Sequence, residues 1–225
     1  LFSPSHSSLI SQYIPTTTIT QTLTKTMAPT FFDGIKKDFK DVPVSADNKI
    51  STTEFLEASE SLVTLFDLLG STAFAAVQKD MTGNIKKIRE QQLKSPATSE
   101  TLQDIVLNEK DEKKRDATQG LLWLTRGLSF TAKALRKSIN NPDEELTVSF
   151  TNSYNETLTK YHNMLVRGIF KVAMKACPYR KDFYSKLGDD QSVVLAQLEA
   201  WLAALEKIVE IIEAFFESGN YSKGL

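Results

Sequence analysis

The sequence predicts an all-α fold of about eight helices, and three observations carry that prediction. Val194, Leu198, Trp201, Leu205, Ile208, Ile212 and Phe215 alternate steps of four and three, a continuous apolar seam that Gly219 ends. Capping residues, glycines and prolines punctuate the rest of the chain at helix-length intervals. No alternating apolar and polar run of useful length and no internal repeat is present, so no sheet is expected.

Taken in order, residues 1–28 read as a disordered Ser/Thr-rich leader. Thr16, Thr17, Thr18, Thr20, Thr22, Thr24 and Thr26 follow one another without an acidic residue, and nothing there offsets the entropy of ordering. A transit peptide is also acidic-poor but carries arginines, which this stretch lacks, so Met27 is read as the start of the folded protein and 29–225 as one domain. Ser51 and Glu54 spell a capping box, which opens a helix over 52–70 with Phe55, Leu62, Val63, Phe66 and Leu69 on its buried face. Gly70 supplies the left-handed residue that a helix end needs. A second helix spans 71–93 and stops before Ser95-Pro96. A short helix over 99–108 and a long one over 112–139 follow. Asn141-Pro142-Asp143-Glu144 reads as a cap, a proline in the first turn and early acidic residues that open another helical region. The stretch 150–176 runs to a break at Cys177-Pro178, with a short helix over 181–187 before the last one.

Composition excludes several classes of function. A chain of 225 residues, 41% hydrophobic and 24% charged, can bury a sizeable core, while a net charge of -1 offers no general field for nucleic acid. A single cysteine, Cys177, forbids an internal disulfide and a thiolate metal cluster, which fits a reducing, cytoplasmic compartment. No apolar run approaches the roughly 20 residues that cross a bilayer, so a soluble protein is expected. Of two histidines one, His6, lies in the leader, so neither metal nor cofactor is expected. Nucleophile elbow, phosphate loop and metal-binding helix motifs are all missing from the sequence, which argues against an enzyme.

Two helices depart from what packing alone prefers. Asp80, Asn84 and Lys87 fall at i, i+4 and i+7, so a polar ladder runs beside Val77, Met81, Ile85 and Ile88. Gly83 in the middle of that helix costs roughly 1 kcal/mol against Ala, which suggests a close backbone approach. The plainer alternative is a solvated face carrying an Asp80 to Asn84 hydrogen bond. In the long helix, Gly120 and Gly127 flank Trp123, as if to clear both sides of the indole for the apolar face of a sugar ring. The alternative is a core tryptophan with glycines that permit tight helix crossing. His162 reads as lying on a third helix, one turn from Leu158 and Leu165 against the apolar side, where such a histidine is usually a satisfied core group.

Three blocks resemble the glycolipid transfer protein family. They are Phe66 to Gly70 leading into Lys79-Asp80-Met81-Thr82-Gly83-Asn84-Ile85-Lys86-Lys87-Ile88, then Leu122-Trp123-Leu124-Thr125-Arg126-Gly127-Leu128, then Tyr161-His162 with Ile169-Phe170 and Ala176 to Phe183. They stand in the family's order and at similar spacing, and the segment from Thr30-Phe31-Phe32 to Val44 is similar to the fungal branch with heterokaryon-incompatibility proteins. The resemblance implies a two-layer sandwich of α-helices and a monomeric carrier that moves a glycosphingolipid with a neutral sugar between membranes. By that resemblance Asp80, Asn84, Lys87 and Trp123 hold the sugar with Tyr221 close by, and Asp80 and His162 grip the ceramide amide. Phe74, Val77, Leu158, Leu165, Phe170 and Phe183 match chamber or gate positions, each with core packing as its alternative.

Membrane docking is expected to be transient. Met164 stands where animal members carry a tryptophan, the preferred interfacial side chain. That leaves Tyr154, Pro178 and Tyr179 with Lys175, Arg180 and Lys181 to make contact, each cation contributing up to ~1 kcal/mol near an anionic surface. Two other roles share the pocket: a ceramide-phosphate carrier, whose branch has lysine at Asn84 and arginine at Trp123, and a glycolipid sensor that need not move its ligand.

Overall fold

A computed structural model describes residues 28–225, and the leader expected over 1–28 falls, but for Ala28, outside that range. Among the described residues the chain forms α1 (Phe31–Gly34), α2 (Thr52–Lys94), α3 (Leu102–Glu109), α4 (Asp116–Asn140), α5 (Leu146–Thr157), α6 (Met164–Lys175), α7 (Arg180–Leu187) and α8 (Gln191–Ser218). Short 3-10 turns cover Phe39–Asp41, Pro96–Thr98 and Thr159–Tyr161, and apart from two isolated bridges there is no strand among these residues.

Helix α2 turns sharply at Gly70, whose φ of 107° is a conformation that only a residue without Cβ adopts cheaply. The expected helix end is therefore there, and the arms 52–69 and 71–94 fold back on each other. Gln92 Nε2 meets Thr53 Oγ1 at 2.7 Å, Arg89 Nη2 meets Glu60 Oε1 at 2.7 Å, and Gln78 Nε2 meets Asp67 Oδ1 at 2.9 Å, which sets the arms antiparallel. Phe66 and Phe74 close the apolar side across the bend, ring centroids 5.6 Å apart. At the start of α2 the capping box does not form as expected. Ser51 spends its amide on Pro43 O, and its hydroxyl donates to the Glu54 carboxylate instead of accepting from the helix.

Helix α4 packs against α2, α5 and α8 and is the centre of the molecule. Its first turn is capped from outside by the buried carboxylate of Glu109, which accepts from Ala117 N, Thr118 N and Thr118 Oγ1 at 3.2, 2.7 and 2.7 Å. Its end corrects the reading of Asn141, which closes α4 by donating from both backbone and side chain to Lys137 O; the next helix begins only at Leu146. The α8 seam packs as the periodicity predicts up to Ile212, after which Phe216 takes the buried position and Phe215 is half-buried. Arg136 ties α4 to α8 through Glu206 (2.9 and 2.8 Å) and Glu199.

The stretch 150–176 is not one helix. Helix α5 ends at Thr157, the chain passes through the 3-10 turn Thr159–Tyr161, and it restarts where Asn163 Oδ1 accepts from Val166 N at 3.0 Å. His162 consequently sits in extended backbone (φ -94°, ψ 135°) between two helices rather than on one.

Candidate functional site

The second arm of α2, the middle of α4, and the turn into α6 converge on one cavity of about 210 Å³. Asp80, Trp123 and His162 line it together with Val77, Leu158 and Phe170, so six residues named from the sequence meet at one place. Ala76, Met81, Phe130, Val166 and Ile169 complete an apolar wall. The hollow is smaller than the roughly 300–1,000 Å³ of sites for drug-sized ligands. Its floor is closed by aromatic packing: Phe170 stacks on Tyr154 at 4.9 Å and lies 4.8 Å from the His162 ring.

Trp123 is half-buried, with its indole parallel to the His162 imidazole at 5.9 Å. The Arg126 guanidinium lies 4.6 Å from the indole centroid and 3.6 Å over the Tyr161 ring, so one cation braces both aromatics. Sequence reasoning gave Arg126 and Tyr161 no role, although Arg126 stands at i+3 from Trp123 and shares its helix face. Burial, with the fields of Arg167 and Arg126, pulls the His162 pKa below its ordinary value. Tyr154 Oη lies 3.1 Å from His162 Nδ1.

Asp80 stands at the rim. Much of the residue is open to solvent, yet burial of its carboxyl pushes its pKa above the usual aspartate value against the pull of Lys87. Asn84 is buried and donates to Asp80 Oδ2 at 3.3 Å, while Lys87 is half-buried. Neither lines the cavity. Their position explains Gly120: a Cβ there would come within 3.1 Å of Asn84 O and 3.2 Å of Lys87 Cβ, so this glycine permits the tight crossing of α2 and α4. Gly127 needs no such room, since a Cβ would meet Met81 at an ordinary 3.5 Å, and at Gly83 it would meet open space, so no close approach accounts for that residue.

Several expected site residues stand elsewhere. Leu165 is no chamber residue: it is 75% exposed, because the break at 158–163 rephases α6 and turns Val166 inward instead. Tyr154 is not a surface contact, being buried beneath Phe170 and His162. Arg180 is half-buried over the Tyr184 ring at 4.2 Å and donates to Ser138 O, which takes it from the free surface. Phe74 and Phe183 are fully buried in the core and line no part of this cavity. Tyr221 stacks on Phe215 at 4.8 Å and is likewise absent from the lining. Met164, Lys175, Tyr179 and Lys181 are exposed, with Pro178 half-buried among them. With Leu165, Ile169 and Val172 they form an apolar and basic face along α6. No group of three or more metal-ligating side chains gathers among the described residues.

A family model described as glycolipid transfer protein matches residues 50–189. A glycolipid transfer protein of Aureobasidium melanogenum is 58% identical over 189 residues, which cover 84% of this chain and 94% of that protein. Human pleckstrin homology domain-containing family A member 8 is 34% identical over 206 residues, covering 86% of this chain but 40% of that longer protein. The crystal structure of HET-C2, a fungal glycolipid transfer protein, superposes with a TM-score of 0.81 at 54% identity, over 84% of this chain and 97% of that one.

Proposed function

Because the chain belongs to the glycolipid transfer protein family, we propose that it carries sphingolipids with neutral sugar headgroups from one membrane to another. The observation that carries this reading is the meeting of Asp80, Trp123 and His162 at the mouth of one apolar cavity. A ceramide amide needs an acceptor for its N–H and a donor for its carbonyl, which a carboxylate and an imidazole provide. The indole of Trp123 offers a face to a sugar ring, and Asn84 and Lys87, one and two turns beyond Asp80, offer donors to its hydroxyls. A cargo with a phosphate headgroup calls for cationic donors at these places, and Asn84 and Trp123 are neutral.

The hydrocarbon chains enter between Val77, Leu158 and Phe170, which part to admit them. Docking uses the exposed face of α6, where Met164, Leu165, Ile169 and Val172 present apolar surface beside Lys175, Tyr179 and Lys181. No helix among the described residues is long and apolar enough to cross a membrane.

Vesicle-to-vesicle transfer of glucosylceramide, galactosylceramide and ceramide phosphate tests the reading. Trp123→Ala and Asp80→Val are each expected to abolish movement of the glycosylated ceramides while circular dichroism stays native. Faster transfer of ceramide phosphate by the unaltered protein would overturn the assignment of a neutral sugar.

A further inference from the structure

A second and larger compartment, about 330 Å³, lies on the other side of the contact between α4 and residues 157–162. Neighbouring residues divide between the two hollows: Trp123 and His162 face the first, Arg126 and Tyr161 the second. Its charges are segregated by wall. Glu213 and Glu217, one turn apart, come from α8, whereas Arg126 and Lys133 come from α4 and Lys160 from the adjoining 3-10 turn. Among the described residues none of these five side chains forms an ion pair, although Glu156 on the same lining is spent on Lys137 at 2.8 Å. Half-buried Arg126 lies against the Trp123 and Tyr161 rings, and the buried Ser129 also borders the space.

Opposed walls whose charges do not reach one another favour a ligand that carries both signs, since a purely anionic or cationic guest meets one wall of its own charge. Three cations, one a forked guanidinium, suit a phosphate, and two carboxylates one turn apart suit an amine. The volume falls at the lower end of small-ligand sites and fits a headgroup-sized molecule. We propose that this compartment binds a zwitterion in which an amine is joined by a short linker to a phosphate ester, with the amine against Glu213 and Glu217 and the phosphate against Arg126, Lys133 and Lys160. The ligand is a soluble compound or the headgroup of a bilayer lipid. This site shares no lining residue with the glycolipid cavity, although Arg126 also braces Trp123, and its failure would leave that assignment standing.

Isothermal titration of the whole chain with glycerophosphoethanolamine, glycerophosphate and ethanolamine tests it. Saturable binding of the first is expected, with each fragment alone about tenfold weaker or more. Lys133→Gln and Glu217→Gln should each weaken the zwitterion by about tenfold with circular dichroism unchanged. Cosedimentation with phosphatidylethanolamine vesicles identifies the source: recruitment that the soluble compound competes away supports a lipid headgroup, and solution binding without such recruitment supports a free metabolite. Absence of saturable binding, equal affinity for glycerophosphate, or indifference to both substitutions overturns the proposal.

Discussion

The phenol of Tyr154 meets Nδ1 of His162 at 3.1 Å, and burial, with the fields of Arg167 and Arg126, pulls the pKa of that imidazole below its ordinary value. A phenol that donates to Nδ1 leaves the ring proton on Nε2. A donor is thereby presented to whatever enters beside Trp123, and one buried hydroxyl sets the chemistry of the proposed amide grip. Tyr154→Phe removes the bond but keeps the stacking on Phe170, so a glycosylceramide Kd about fivefold weaker is expected, roughly 1 kcal/mol, with little loss of fold. Titration calorimetry reads it, and an unchanged Kd would mean that Tyr154 has no part in fixing the tautomer. The lowered pKa also has a sign. His162 binds its proton less readily in the folded state, so its contribution to stability is complete above its ordinary value of 6.5 and is lost as pH falls through the lower folded value. Thermal stability should decline across that window in the unaltered protein, and less in His162→Gln.

Among the elements, α4 shows why a helix need not carry its own cap. Arg115 precedes it without a side-chain bond to the first turn, and Glu109, the last residue of α3, supplies the acceptor from inside the protein. Glu109→Ala leaves two amides and a hydroxyl unpaired, which is expected to cost about 2 kcal/mol and lower Tm by roughly 4–8 °C in a thermal scan. Helix α6 gives the opposite case. Leu165 touches solvent, so Leu165→Asp should change stability by no more than about 0.5 kcal/mol while it reduces cosedimentation with vesicles; undiminished binding would remove α6 from the docking face. Helices α8, α2 and α6 mark how far the sequence could be read. The α8 seam and the Gly70 bend were legible because a repeated apolar spacing and a left-handed position are written locally. The break at 158–163 was not, since no glycine or proline marks it and Leu158 and Leu165 stay in phase across it. Asn163, three residues before Val166, was the one cap signal there. Without it His162 reads as part of a helix, while the family resemblance alone places Leu165 in the chamber. The cavity itself was legible only in part, since Arg126 and Tyr154 act through partners distant in sequence or across a break in helical phase.

For the whole molecule, the mismatch between a hollow of about 210 Å³ and a two-chained lipid means that some part of the fold must move. A rigid centre and a loosely held flank are both present. Helix α4 is buried along most of its length among α2, α5 and α8, and opening it would expose the core. Helix α6 packs mainly on α5 and α2, with Phe170 edge-on to Phe130 of α4, leaves Met164, Leu165, Ile169 and Val172 in solvent, and contributes Val166, Ile169 and Phe170 to the cavity wall. Local opening therefore costs least at α6, and lipid uptake replaces the aromatic contacts of Phe170 with hydrocarbon. Hydrogen exchange should show α6 exchanging well before α4 in the lipid-free protein, with marked slowing of α6 once glycosylceramide is bound and little change in α4. Ligand at about a hundred times its Kd should add about 2.7 kcal/mol to stability and raise Tm by roughly 5–11 °C. Equal protection of α6 and α4 before lipid is added would place the opening elsewhere, and the bend of α2 at Gly70, whose arms are joined by Arg89 and Glu60, would then be the element to probe.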